Sequence, residues 1–196
     1  MSKFGTSQPI TRLEDSRFLT GNGRYVDDIA PEGALHAYVL RSTAAHGDIT
    51  ELDVSEAREA QGVHLVLTAA DLAEAGLKNA MKYSPVKNGD GSRPQTPPRP
   101  ILAEGRVRFV GEPVAFIVAD TLAEAKDAAE MILLDIEDRP AKLDIAPGGE
   151  AIHDDVPDNV AYDFAMGDEA ATEAAMAGAA HVVTHTSYDN RIIVNS

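Results

Sequence analysis

The sequence predicts an α+β fold of two layers, in which helices pack against a β-sheet. The strongest support is residues 106–140, where a glycine turn, an apolar run, a helical pattern and a second extended run follow one another. The other two observations are an apolar content of 44%, enough for a core, and an aromatic content of only 5%, which leaves the packing to small aliphatic side chains.

The 106–140 stretch has a consistent signal at each junction. Residues 114–119 form a continuous apolar run, as expected of a strand covered on both faces. Thr121 and Glu124 match a capping box that starts a helix. Residues 133–136 resume an extended chain that stops at Pro140. Together these signals predict a β-α-β unit. The apolar face of its helix is formed by Ala125, Ala128, Ala129 and Ile132.

The chain before this unit repeats the same pattern of short strands and helices. Residues 24–77 are predicted to hold four strands and two helices. The strands are expected at 24–26, 35–41, 49–54 and 63–67, the last of them buried. The helices are expected to begin near Asp53 and at Thr68 and to end at Gly62 and Gly76. Gly21-Asn22-Gly23 is interpreted as a turn, because no strand precedes it and no helix follows it.

Residues 78–100 form a long irregular connection that contains five of the eleven prolines. Such connections are either functional or mobile, and a mobile insertion is the favoured interpretation. Calcium is not predicted there, since Asp90-Gly91 lacks the other spaced carboxylates of an EF-hand loop.

The chain changes character after Pro140. Residues 141–165 are rich in Pro, Gly and Asp, a helix is predicted from Asp168 to Gly178, and strands are predicted at 180–188 and 191–194. The predicted organisation is therefore an irregular segment at 1–16, a domain at 17–140, and a linker with the truncated start of a second α/β domain at 141–196.

Charge and cysteine content exclude several functions. With 17 basic against 32 acidic residues and a net charge of −15, the chain has no basic patch for nucleic acid or an anionic membrane. Cysteine is absent, so the chain can supply neither a thiolate nucleophile nor the ligands of an iron–sulfur cluster. No apolar run is long enough to span a membrane, and the first fifteen residues lack an export signal, so we expect a cytoplasmic protein.

The histidines do not predict a metal site. His181 and His185 lie in an alternating stretch, and four strand residues span roughly 13 Å, too far for one zinc ion. His153, Asp154 and Asp155 are interpreted as a solvated acidic loop rather than as cation ligands. The other histidines considered, His36, His46 and His64, are scattered over different elements.

Three carboxylates flank the central strand and could include an acid/base pair. They are Glu104, Glu112 and Asp120. Glu112 follows Gly111 in a turn and could point into a cleft, but the favoured interpretation is that it fixes the turn through backbone amides. No nucleophile elbow, phosphate-binding loop or helical zinc motif is present.

Several ordered motifs resemble the large, molybdenum-binding subunit of molybdenum hydroxylases, the relatives of xanthine dehydrogenase, aldehyde oxidase and aerobic carbon monoxide dehydrogenase. The most specific is V-x-F-V-G-E-P-V-A at 107–115, followed by V-A-D-T at 118–121, which resembles the signature of the family's a/b hammerhead domain. The others are R-F-L-T-G at 17–21, G-x-Y-x-D-D-I at 23–29, G-x-L-H-A at 33–37, R-S at 41–42, A-H at 45–46 and R-I-I-V-N at 191–195.

The resemblance implies a scaffold rather than a catalyst. In this family the molybdenum–pterin dinucleotide and the catalytic glutamate lie downstream of the hammerhead, so no catalytic, cofactor-binding or metal residue is assigned within 1–196. It also implies [2Fe–2S] clusters and FAD on partner subunits or earlier segments. The alternative is a stand-alone, non-enzymatic hammerhead module for subunit assembly, and the reading frame beyond Ser196 separates the two. A hydrolase built on the three carboxylates is the third hypothesis.

Overall fold

The structure is a computed structural model that describes residues 12–81 and 86–188. Its secondary structure comprises five α-helices and eight strands in the described residues. The strands are β1 His36–Arg41, β2 Gly47–Asp53, β3 Val63–Leu67, β4 Ala80–Met81, β5 Arg99–Pro100, β6 Arg106–Val107, β7 Pro113–Ala119 and β8 Leu133–Asp138, and the helices are α1 Asp15–Leu19, α2 Ser55–Glu59, α3 Ala69–Glu74, α4 Leu122–Glu130 and α5 Glu169–Ala177.

The chain divides into two compact units, the first of which extends to Leu35. It contains α1 and a 3-10 turn at Val26–Asp28. The strand predicted at 24–26 is therefore wrong. The Asp28 carboxylate accepts the backbone N–H of Tyr25 at 2.8 Å, which closes the chain into a turn instead of leaving it extended. The rings of Phe18 and Tyr25 stack with centroids 5.6 Å apart.

The second unit begins at His36 and contains three antiparallel sheets. The first has the order β1-β7-β3, and β7 is its central strand. Val114, Ala115, Ile117 and Ala119 of β7 are buried, which confirms the prediction of a strand covered on both faces. β3, by contrast, is an edge strand whose His64 and Leu65 side chains are exposed, so the prediction that β3 is buried is wrong.

The other two sheets are smaller. One has the order β6-β2-β8, with β2 paired to β8 from Gly47 to Asp53. The other joins β4 to β5 at the two ends of the predicted irregular connection.

Helix α4 covers the first sheet with an alanine face. Thr121 Oγ1 accepts the backbone N–H of Glu124 at 3.1 Å and donates to the Glu124 carboxylate at 2.8 Å. The predicted helix cap therefore forms, and the Glu124 carboxylate binds the Thr121 hydroxyl. Ala125 and Ala128 are fully buried and join Ile117 and Ala119 in the main core. Small side chains on this face allow the helix to approach the strands closely.

The α+β class is confirmed, with one difference in the predicted β-α-β unit. β7, α4 and β8 follow one another as expected, but β7 lies in the first sheet and β8 pairs with β2 in the second. All strand pairs in the described residues are antiparallel. The succession of elements is local information, whereas the choice of partner strand depends on residues far along the chain.

The end of the chain confirms the predicted helix but not the strand after it. The Asp168 carboxylate accepts the backbone N–H of Ala171 at 2.9 Å and caps α5, which is followed by Gly178. Residues 181–188 form no strand and are exposed, because an alternating pattern becomes a strand only beside a partner. The strand predicted at 191–194 lies outside the described residues. No helix in the described part of the chain is long and apolar enough to cross a bilayer.

Candidate functional site: a buried polar cluster

Glu112 is held in a tight turn immediately before β7. The backbone N–H of Gly111 donates to the Ser42 carbonyl at 2.8 Å, and the backbone N–H of Ser42 donates to the Glu112 carbonyl at 2.9 Å. Gly111 has φ +89°, a conformation that favours glycine. The Glu112 side chain is 2% exposed, and its carboxylate accepts the backbone N–H of Arg108. This confirms that Glu112 fixes the turn through a backbone amide.

Burial raises the pKa of Glu112 above its ordinary value. Taking a carboxylate out of water disfavours its charged form. The backbone hydrogen bond and the positive charge of Arg108 oppose this effect without reversing it.

His46 is buried beside this turn and joins it to the chain after β8. Its Nδ1 atom lies 2.8 Å from the Pro140 carbonyl oxygen, and since a carbonyl only accepts, Nδ1 carries the proton. The backbone N–H of Arg139 donates to the His46 carbonyl at 2.8 Å. Nε2 is fully buried and has no hydrogen-bond partner in the residues that the structure describes. His46 therefore connects the start of β2 to residues 139–140.

Arg108 extends the cluster to the irregular region after Pro140. Its Nε atom donates to the Ile152 carbonyl at 3.3 Å. The neighbouring His153 is half-buried, and burial followed by the charge of Arg108 lowers its pKa. The Asn159 side chain holds the same loop, because it accepts from the Ile152 N–H and donates to the Gly148 and Glu150 carbonyls.

Asp48 forms a charged link between three segments. One carboxylate oxygen accepts from Arg106 Nε at 2.8 Å and the other from Arg139 Nε at 2.6 Å. The hydrogen bond from Arg106, followed by that from Arg139, lowers the pKa of Asp48. β6, β2 and the residue after β8 are thus joined by charge as well as by strand pairing.

Replacing Asp48 with asparagine should lower the urea midpoint at neutral pH, because two arginines lose their carboxylate partner. A lowered carboxyl pKa contributes stability above the unfolded value of 3.8, and this contribution is lost as pH falls through the folded value. The difference between wild type and Asp48→Asn should therefore shrink on acidification below pH 3.8. Asp127→Asn on the exposed face of α4 is the matched control, and an Asp48→Asn difference that does not vary with pH would contradict the expectation.

The structure does not bring Glu112 and Asp120 together. They lie at opposite ends of β7, and eight residues of extended chain place them roughly 25 Å apart. Asp120 instead pairs with His64, at 2.8 Å between Oδ1 and Nε2, in an exposed position. Glu104 is exposed beside β6. The three carboxylates therefore do not form an acid/base constellation around one cleft.

The remaining histidines are not grouped with acidic side chains in the described residues. His36 lies on β1, while His181 and His185 are exposed in the segment after α5 that forms no strand. No three potential ligands among His, Asp and Glu converge in residues 12–81 and 86–188, and the sequence has no cysteine. This donor set does not fit an iron–sulfur cluster or a directly ligated metal, so we derive no chemical step through such a group.

Sequence reasoning missed the importance of His46, Asp48 and the arginines around them. His46 and its partner Pro140 are 94 positions apart, and no local pattern connects them. One available signal was Gly47. A Cβ there would lie 2.5 Å from the Ile136 side chain, which marks a close approach of β2 and β8.

The fold and the cluster define an α+β domain, in which buried polar groups hold turns and chain connections together. The comparisons with known proteins agree with this class. The family described as aldehyde oxidase and xanthine dehydrogenase, a/b hammerhead domain, matches residues 20–140. The chain belongs to this family.

Relatives of known function extend the match over most of the chain. The nicotine 6-hydroxylase large subunit of Paenarthrobacter nicotinovorans is 38% identical in an alignment of 188 positions, and the match covers 93% of this chain and 22% of the relative. The carbon monoxide dehydrogenase large chain of Hydrogenophaga pseudoflava is 31% identical over 91% of this chain and 23% of the relative. The chain thus spans less than a quarter of the length of these relatives.

Comparison with solved structures agrees with this family assignment. The Cu,Mo-CO dehydrogenase matches with a TM-score of 0.65 and 31% identity, covering 88% of this chain and 22% of that chain. Quinoline 2-oxidoreductase from Pseudomonas putida 86 matches with a TM-score of 0.59 and 41% identity, covering 71% of this chain and 16% of that chain.

Proposed function

We propose that this chain is the N-terminal scaffold of the molybdenum-cofactor-binding subunit of a molybdenum hydroxylase. The observation that carries the proposal is the 38% identity to a hydroxylase large subunit over 93% of the chain. The family match at residues 20–140 supports the same assignment. The proposed boundaries are a hammerhead domain at 17–140, preceded by a short segment, and a linker with the start of the cofactor domain at 141–196.

The proposed enzyme hydroxylates an aldehyde, an N-heterocycle or carbon monoxide. Water supplies the oxygen atom, and two electrons and two protons leave the substrate and water. The molybdenum–pterin dinucleotide would be bound by the rest of the large subunit, and the [2Fe–2S] clusters and FAD by partner subunits in a cytoplasmic complex. Every one of these groups would lie outside residues 1–196, so the chain alone should be inactive.

The chain's own contribution would be mechanical. Glu112 and Arg108 fix the turn before β7, while His46 and Asp48 hold residues 139–140 against β2. Residue 140 marks the end of the hammerhead match. We infer that the buried cluster sets the direction in which the chain leaves the hammerhead towards the cofactor domain. The stand-alone assembly module remains the alternative.

A chimera tests the proposal. Residues 20–140 of this chain would replace the aligned segment in the P. nicotinovorans nicotine 6-hydroxylase large subunit, produced with its partner subunits. We expect molybdenum content and nicotine-dependent dye reduction within about threefold of the parent enzyme. The separate 196-residue chain should show background molybdenum and no turnover with aldehydes, N-heterocycles or carbon monoxide.

The control is the same chimera carrying Ile117→Asp, which places a charge in the core and should abolish both readouts. A well-folded chimera that assembles but contains no molybdenum would contradict the scaffold assignment. Turnover by the 196-residue chain alone would contradict the proposal that the catalytic groups lie outside residues 1–196.

A further inference from the structure

Strand β2 is paired along one edge and only partly along the other. β8 pairs with it from Gly47 to Asp53. On the opposite edge β6 pairs only with Gly47 and Asp48, and the backbone N–H of Ile49 donates to the Gly105 carbonyl at 3.0 Å. No strand in the described parts of the chain continues this ladder beside residues 50–53.

A groove of about 600 Å³ lies along this open edge. Residues 49–55 line it consecutively. Successive side chains of a strand point to opposite faces, so a cavity on one face would be lined by alternate residues. Consecutive lining therefore indicates that the groove follows the backbone edge of the strand.

The chain on the other side of the groove does not continue the pairing of β6 with β2. Gly105 has φ +66° and turns the chain away from β2 where β6 would otherwise continue. Residues 68–71, where α3 begins, and residues 103–105 line the groove with the β2 edge. The open length of four residues is about 13 Å, enough for a short added strand.

The charge of the groove indicates what it can accept. Among the described residues that line it, the only basic one is Arg58, whose guanidinium is bound to Asp71 at 2.5 Å. Glu51 is also paired in register with Asp135 across the β2–β8 ladder, so like charges face each other there. The acidic lining residues are Glu51, Asp53, Asp71, Glu74 and Glu104.

We propose that the open edge of β2 is a docking surface for an extended, lysine- or arginine-bearing segment of a partner protein. The segment adds as a strand in line with β6, its backbone pairs with residues 50–53, and its basic side chains meet the carboxylates of the groove. Backbone pairing gives affinity, and charge complementarity selects a basic segment over an acidic one. The observations behind this surface are the partial pairing of β2 and the acidic lining of the groove in the described residues.

The first experiment measures binding of a short fluorescent peptide of alternating lysine and valine to the 196-residue chain by anisotropy. We expect saturable one-to-one binding that weakens with salt. N-methylation of the peptide backbone on one edge should abolish binding, because an added strand needs those N–H donors, while methylation on the opposite edge should leave it unchanged. Equal effects of the two methylations would overturn the strand-addition geometry.

The second experiment locates the site with charge-matched variants. Glu74→Lys with Glu104→Lys should weaken binding at least about tenfold, since both side chains line the groove. Asp127→Lys with Glu130→Lys makes the same charge change on the exposed face of α4 and should leave binding within about twofold.

Three outcomes would overturn the proposal. Equal weakening by both variant pairs would indicate non-specific attraction to an acidic protein. Absence of saturable peptide binding would remove the docking surface. Sedimentation showing a dimer that Glu74→Lys with Glu104→Lys disrupts, without peptide binding, would assign the edge to a second copy of this chain.

Discussion

Replacing Glu112 with alanine is expected to lower the free energy of unfolding by about 3 kcal/mol. The side chain is 2% exposed and its carboxylate accepts the backbone N–H of Arg108. Alanine would leave that amide without its acceptor and a void under the turn. Urea unfolding at neutral pH followed by circular dichroism measures the change. Glu130→Ala on the solvent face of α4 should change the free energy by less than about 0.5 kcal/mol.

Glutamine at the same position separates the shape of the side chain from its charge. Glu112→Gln keeps an acceptor and should cost about 1 kcal/mol at neutral pH. The pKa of Glu112 is raised on folding, so its protonated form stabilises the fold fully below the unfolded value of 4.5, and this contribution is lost as pH rises through the folded value. The stability of wild type relative to Glu112→Gln should therefore fall between acidic and neutral pH, and the opposite trend would contradict the burial effect.

The second large effect is expected at His46, where alanine should cost about 3 kcal/mol. The substitution removes a fully buried ring and the donor to the Pro140 carbonyl. His46→Asn can retain a donor near the position of Nδ1 without the unpartnered Nε2 atom, so it should cost only about 1 kcal/mol.

Hydrogen exchange distinguishes a local effect from global loss of stability. The Arg139 amide donates to the backbone carbonyl of His46, so its protection should fall in His46→Ala more than that of amides in β7. His181→Ala, at an exposed position, is the control. A His46→Ala variant as stable as this control would show that His46 does not hold the 139–140 connection.

Local signals were sufficient to predict most elements. The Thr121 cap and the alanine face predicted α4, Thr68 with Gly76 predicted α3, and Asp168 with Gly178 predicted α5. Each of these signals acts within a few residues, so it can be interpreted without knowledge of the tertiary fold. The turn role of Glu112 was predicted for the same reason, because the side chain binds an amide only four positions away.

Sheet partners and the buried cluster could not be predicted in this way. An apolar run predicts a strand but does not specify its neighbour, so β8 was grouped with β7 although it pairs with β2. At residues 24–26 a short hydrogen bond to Asp28 overrode the extended pattern. At 181–188 the alternating pattern was present without a partner strand.

The long-range pairing also has a consequence for synthesis on the ribosome. Thr50 and His46 contact Asp135 and Pro140, which lie 85 and 94 positions later in the chain. Translation adds roughly 5–20 residues per second, so β1 and β2 must wait several seconds for their partner strands. During that interval β1 and β2 lack their partner strands, and the high contact order of these pairings slows folding further. The nascent chain is therefore most exposed to aggregation before residue 140 has left the exit tunnel.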